Sequence, residues 1–242
     1  MPPPFDSATK ELTTRDPLDP LGDEKDTAQA RMLRLLKSRL NGQREDVLAA
    51  LGDPPDLANL TSEFWRTQAG LSVADLRPEI EAMVLRGASA ASATVPILWD
   101  EAVIAREAVD WATQYVYDLV TGLDANTLAV LQRVIPRFAE TPGMTIGDLR
   151  RELAPVFGES RAQVIAVTET TRAFAEGQRI IQAELSRGGV RMLRKWNTAG
   201  DEKRVCELCM DLDGKTEDEW SGIDGPPRHP SCRCWTTLVV AP

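Results

Sequence analysis

Histidine is nearly missing from this chain, with one in 242 residues. That scarcity excludes a zinc hydrolase of the H-E-x-x-H kind, which needs two, and leaves no spare histidine for a metal nuclease that spends one on chemistry and others on the metal. A zinc deaminase would need H-x-E, whereas His229 is followed by Pro230 and Ser231. No apolar run approaches the roughly 20 residues that cross a bilayer. The opening MPPPFDSATK lacks a basic and apolar leader, so the expectation is a soluble protein made in a reducing cytoplasm, without a membrane partner. A cationic excess is also lacking. The net charge of −9 argues against wholesale wrapping of nucleic acid. Most of that acidity lies ahead of Glu159, since the remainder is nearly balanced.

Hydrophobic content of 43% is ample for a core, and its spacing is mainly helical. Residues 1–26, with Pro2, Pro3, Pro4, Pro17 and Pro20 among acids, read as a flexible arm. From Thr27 the residues Met32, Leu33, Leu35, Leu36 and Leu40 form an apolar face that runs to about Leu51, before the breaker GDPPD. A shorter helix is expected around Leu57 to Gln68, and another from Ser72, where Pro78 falls close enough to the start to be tolerated. Val95 to Val120 reads as a bundle helix interrupted by charges, with Trp99 and Trp111 available for burial. Asp124 and Thr145 are candidate caps of two further helices, and Ser160 to Ser186 reads as one long helix stopped by Gly188 and Gly189. Beyond those glycines the pattern turns β-like around Val190 to Trp196 and again in CWTTLVV. The expected fold class is therefore α+β: a mainly α-helical N-terminal body over 27–144, then a C-terminal region 145–242 that includes a small zinc-stabilised, β-containing module from 187.

The chemistry concentrates at the end. All four cysteines fall in the last 37 residues, as Cys206-x-x-Cys209 and Cys232-x-Cys234, with His229 in the segment GPPRHPSCRC. Two chelating pairs about twenty residues apart have the spacing of a closed structural zinc site. Four of the five donors would suffice. Cys206, Cys209, His229 and Cys232 are the first choice, because alternating strand positions would send Cys232 and Cys234 to opposite faces. Cys234 could replace either His229 or Cys232. Pro226, Pro227 and Pro230 stiffen the approach, Asp213-Gly214 supplies a turn, and Trp196, Trp220 and Trp235 offer a miniature core. Disulfides, a Cys-x-x-Cys redox centre and free thiols are weaker readings for a cytoplasmic chain whose motif sits in a polar turn. No phosphate loop, nucleophile elbow or dinucleotide fingerprint appears, which disfavours an enzyme or a small-molecule substrate.

The run RAQVIAVTETTRAFAEGQ, then KWNTAGDEKRVCELCMDLDGK, then PPRHPSCRC resembles the C-terminal domain of the phage Mu F-like minor head proteins, also called phage head morphogenesis proteins. The matching positions are Ala166, Thr168, Glu169, Arg172, Ala173, Trp196, Asp201, Val205, the four cysteines, Leu212, Asp213, Gly214, Pro226, Pro227, His229, Pro230 and Arg233. The resemblance implies a portal-associated minor component inside the head of a tailed phage or prophage, acting in head assembly and in DNA packaging or ejection. Its implied partners are the portal protein, other head proteins and double-stranded DNA. Thr168, Glu169, Arg172, Asp201, Asp213, Gly214 and Arg233 are read as supports of the zinc site, with Glu169 expected to accept hydrogen bonds from the module, for instance from Arg233. The basic segment around Arg191, Arg194 and Lys195 suggests DNA contacts, and reads equally well as a solvated strand face. A zinc-containing DNA-binding protein without a head role is the alternative, and a phage-encoded enzyme a weaker one.

Overall fold

The structure is a computed structural model, which describes residues 19, 21–93, 100–198, 205–220 and 222–241. Asp201, Lys203, Arg204, Val95 and Trp99 lie outside the described residues, as does most of the expected arm. Helix α1 (Gly22–Leu51) begins a turn earlier than the pattern suggests. It is followed by a short 3-10 turn at Leu57–Asn59, α2 (Ser62–Ala93), α3 (Glu101–Glu140), α4 (Ile146–Glu152), α5 (Ala154–Phe157) and α6 (Glu159–Arg187). Strand β1 (Met192–Asn197), helix α7 (Glu207–Met210), a second 3-10 turn and strand β2 (Trp235–Val240) complete the chain.

Two expected helix breaks are not there. The break placed between Gln68 and Ser72 is the interior of α2, which starts at Ser62. Thr61 supplies the cap, its hydroxyl accepting from the Phe64 amide at 3.2 Å. Pro78 is therefore deep in the helix rather than near its start. Both Pro78 and Ala74 are exposed, so water can take the carbonyl that the proline leaves without a partner. Asp124 likewise caps nothing: α3 runs straight through it from its real cap, Asp100, whose carboxylate accepts from the Ala102 amide at 3.0 Å. The expectation for Thr145 matches the structure, with a reciprocal capping box to Asp148 opening α4.

Helix α6 is the axis of the molecule, packed against α1, α2 and α3 on one side and the C-terminal strands on the other. It is consequently buried around much of its circumference, including polar Glu169, Thr170, Thr171 and Gln178. Its contact with α2 is close because two glycines face it: a Cβ on Gly177 would lie 2.1 Å from the Val84 carbonyl oxygen, and one on Gly87 would lie 2.4 Å from that of Phe174. Any larger residue at either position would push the backbones apart.

The bundle has two apolar cores. One, built on Met32, Leu36, Ile80, Met83, Val116 and Phe174, extends toward the strands. The other, built on Val47, Leu51, Leu131, Ile135, Leu149 and Phe157, fills the opposite end. A polar layer lies between them. There Gln43 donates to Asp124 at 2.8 Å, and Arg161 donates to Thr127 Oγ1 at 3.0 Å and to the carbonyls of Leu123 and Val156 at 2.9 and 2.5 Å. Burial raises the Asp124 pKa, with the Gln43 hydrogen bond and the Arg161 charge opposing the rise.

Candidate metal centre

The C-terminal module hangs from a two-stranded antiparallel ladder that pairs Met192 with Val240 and Asn197 with Trp235. β-Branched and aromatic residues favour this pleated arrangement. Gly214 turns the chain with φ +77°, and its amide donates to the Trp196 carbonyl at 2.9 Å, while the Trp196 amide donates to the Lys215 carbonyl at 2.8 Å. Asp213 Oδ1 accepts from the Thr198 amide at 2.8 Å, so the Asp-Gly turn stitches the end of β1 to the cysteine knuckle. Trp196 and Trp220 meet edge to face at 5.3 Å and, with Leu212 and three of the cysteines, make a small separate core. Trp235 is buried too, on the side facing α1, where Lys25 lies 5.7 Å from its ring.

All five sequence-derived donors converge on this core. Cys206, Cys209 and His229 lie mutually within 4.8 Å, and so do Cys209, Cys232 and Cys234. Cys209 belongs to both groups. The Cys209 and Cys232 sulfurs are 3.8 Å apart. That matches the edge of about 3.8 Å for a tetrahedron with zinc–sulfur bonds of about 2.3 Å. His229 Nε2 lies 3.0 Å from Cys206 Sγ and 3.4 Å from Cys209 Sγ. Its Nδ1 sits 2.8 Å from the Pro230 carbonyl oxygen, which can only accept, so Nδ1 carries the proton and Nε2 turns its lone pair to the sulfurs. That is the outer hydrogen bond that metal-ligating histidines make.

Local backbone geometry explains the convergence. Cys206 and Cys209 close the first turn of α7, with the Cys209 amide donating to the Cys206 carbonyl at 3.0 Å. His229 and Cys232 close the same kind of turn at 3.1 Å, helped by Ser231 at φ +61°. Strand β2 begins only at Trp235, so Cys232 and Cys234 do not alternate across a strand as the sequence argument assumed, and both reach the same cluster.

Burial makes the three inner thiols mutually dependent. Hydrogen bonds donated to Cys232 and Cys234 push Cys209 far above the ordinary thiol range. Accepting bonds from Cys209 and Cys234 holds Cys232 down at about 2. Cys234 is lowered by Cys209 but raised by Cys232 and by burial, ending at about 12. Crowded sulfurs therefore oppose one another's ionisation, and a divalent cation would relieve that opposition. Thiolates with one imidazole, gathered in two groups that share Cys209, are the donor types that suit zinc.

The other predicted support residues divide. Thr168 Oγ1 accepts from the Ser231 amide at 2.9 Å, and Thr171 Oγ1 donates to the Cys232 carbonyl at 2.7 Å, so the threonines of α6 hold the clasp. Thr171 was not among the residues picked from the sequence, although it lies in the same TETT run. Glu169 does not reach the module. It accepts from the Tyr115 hydroxyl and sits 3.6 Å from Arg172 Nε, bracing α6 against α3. Arg233 turns instead to Asp26 of α1 at 3.5 Å. Beside Tyr115 a cleft is lined by Trp111, Arg172, Glu176, Arg179, Arg194 and Asp224. Arg194 is committed there, with Nε donating to Glu217 at 2.8 Å and Nη1 to the Asp224 carbonyl at 2.9 Å. Arg191 is exposed, and Lys195 is half-buried on the opposite side of β1 from Arg194.

No helix among the described residues is long and apolar enough to cross a membrane. No curated protein and no solved structure matches the chain. Residues 139–237, from the end of α3 into β2, match the family model described as Phage Mu protein F like protein, a span that holds both the threonine–glutamate motif and the cysteine motifs on which the resemblance rests.

Proposed function

We propose that the chain is a minor head protein of a tailed phage or prophage, acting in head morphogenesis, and that its C-terminal module is clasped by one structural zinc ion. The observation that carries this reading is the Mu F-like match over residues 139–237, within which all five clustered donors fall. Family membership of this kind suggests other head proteins as partners and the virion as location. Portal association, a place inside the shell, and a part in DNA packaging or ejection are the finer elements of the proposal. A non-enzymatic role fits a site whose single histidine is engaged with two cysteines and a backbone carbonyl. Direct DNA contact through Arg191, Arg194 and Lys195 draws less support, because Arg194 is already paired with Glu217.

The test is co-expression of the full chain with portal and major head proteins, followed by isolation of assembled heads. The chain is expected to sediment with portal-containing heads and to carry one zinc per copy. A Cys209→Ser, Cys232→Ser variant is expected to lose the metal and the association. Heads that exclude the wild-type chain would overturn the head role, and a wild-type chain purified without zinc and equally stable with a chelator would overturn the clasp.

A further inference from the structure

Five donors serve a site with four places, and the surplus is not evenly distributed. We infer that Cys234 is a reserve ligand: the clasp closes on Cys206, Cys209, His229 and Cys232, and Cys234 takes the fourth place when the His229 side chain swings away. This rests on the zinc reading above. His229 is half-buried, and the bonds that fasten its turn to α6 are made beyond it, from the Ser231 amide to Thr168 Oγ1 and from the Thr171 hydroxyl to the Cys232 carbonyl, so Cys232 is anchored independently of the imidazole. Cys234 is at the inner side. It is buried and immediately precedes Trp235, which is paired in the ladder with Asn197. It also lies within 4.8 Å of both Cys209 and Cys232, so an ion shifted toward it keeps those two sulfurs.

In the exchange the bond from metal to His229 Nε2 breaks and one to Cys234 Sγ forms, while the Cys234 proton passes to the released imidazole or to water. The site goes from three sulfurs and one nitrogen to four sulfurs without losing the ion.

Cobalt(II) loaded into the full-length protein is the probe, read by its ligand-field bands and by thiolate charge transfer. Wild type is expected to bind one tetrahedral cobalt with a three-thiolate spectrum. His229→Ala is expected to keep one tetrahedral cobalt with stronger charge transfer, and Cys234→Ser to leave the wild-type spectrum unchanged. The double variant should lose tight binding. If Cys234→Ser weakens charge transfer in the otherwise wild-type chain, Cys234 is a resident ligand and the inference falls. It falls equally if His229→Ala abolishes the tetrahedral bands while far-ultraviolet circular dichroism shows the helices intact. A wild-type chain that binds no cobalt overturns the metal reading beneath it.

Discussion

The Thr171 hydroxyl on α6 donates a 2.7 Å hydrogen bond to the main-chain carbonyl of Cys232, so a helix of the body is fastened directly to the backbone of a metal-clasp residue. Both groups are buried. Thr171→Val keeps the shape and removes the donor, leaving the carbonyl unsatisfied at a cost of about 1–3 kcal/mol. Denaturant titration of the zinc-loaded protein should show that loss, and zinc should pass faster to a chelator. Thr171→Ser should restore both.

The two glycines between α2 and α6 give a contrast in sign. Gly87→Ala and Gly177→Ala each place a methyl group against backbone atoms closer than 2.5 Å. Overpacking of that kind costs about 1–3 kcal/mol, more than the roughly 1 kcal/mol that alanine gains over glycine in a helix. Gly70→Ala and Gly122→Ala, where nothing lies within 4 Å, should instead raise the melting temperature. Four thermal melts decide the matter.

Burial raises the Glu169 pKa above its ordinary 4.5, against the opposing hydrogen bond from Tyr115 and charge of Arg172. The folded state then holds its proton more tightly than the unfolded chain, so this group costs stability as pH rises from 4.5 through the raised value. Glu169→Gln still accepts from Tyr115. It should be more stable than wild type at neutral pH, and the advantage should shrink to nothing below pH 4.5. A pH series of denaturation midpoints for the two proteins measures the difference.

Arg161 satisfies one side-chain oxygen and two carbonyls in the layer between the cores. Arg161→Met fills the space but strands those acceptors, a loss of about 1–3 kcal/mol for polar groups left without their partner. Hydrogen exchange should show the effect centred on α3 and α6 near Leu123 and Val156 rather than at the metal clasp.

The donors of the clasp were legible because chelation imposes short, countable spacings that local turns must satisfy. The N-terminal cap at Thr145 and the long helix α6 were legible for the same reason: their determinants lie within a few residues. Helix continuity at Ser72 and Asp124 was not, because both read as cap residues locally. The Ser72 hydroxyl instead turns back one helical turn to the Gln68 carbonyl at 3.0 Å, as a serine inside a continuous helix can, and Asp124 takes a partner from outside the local pattern, Gln43 on α1. The roles of Glu169 and Arg233 failed similarly, since their actual partners Tyr115 and Asp26 are supplied by tertiary packing. Thr171 was the subtler miss. Its run of polar residues on a buried helix face is the signal that a second body lies against that face.

The polar layer has one more consequence, for register. Gln43, Asp124, Thr127 and Arg161 come from three helices and satisfy one another at a single alignment. Sliding any of those helices by one turn would carry a charged or amide group into one of the apolar cores, where it has no partner. The layer thus works as a notch: it makes no large contribution to the apolar packing, yet it fixes how far along the bundle axis α6 stands, and hence where the clasp at the other end is held.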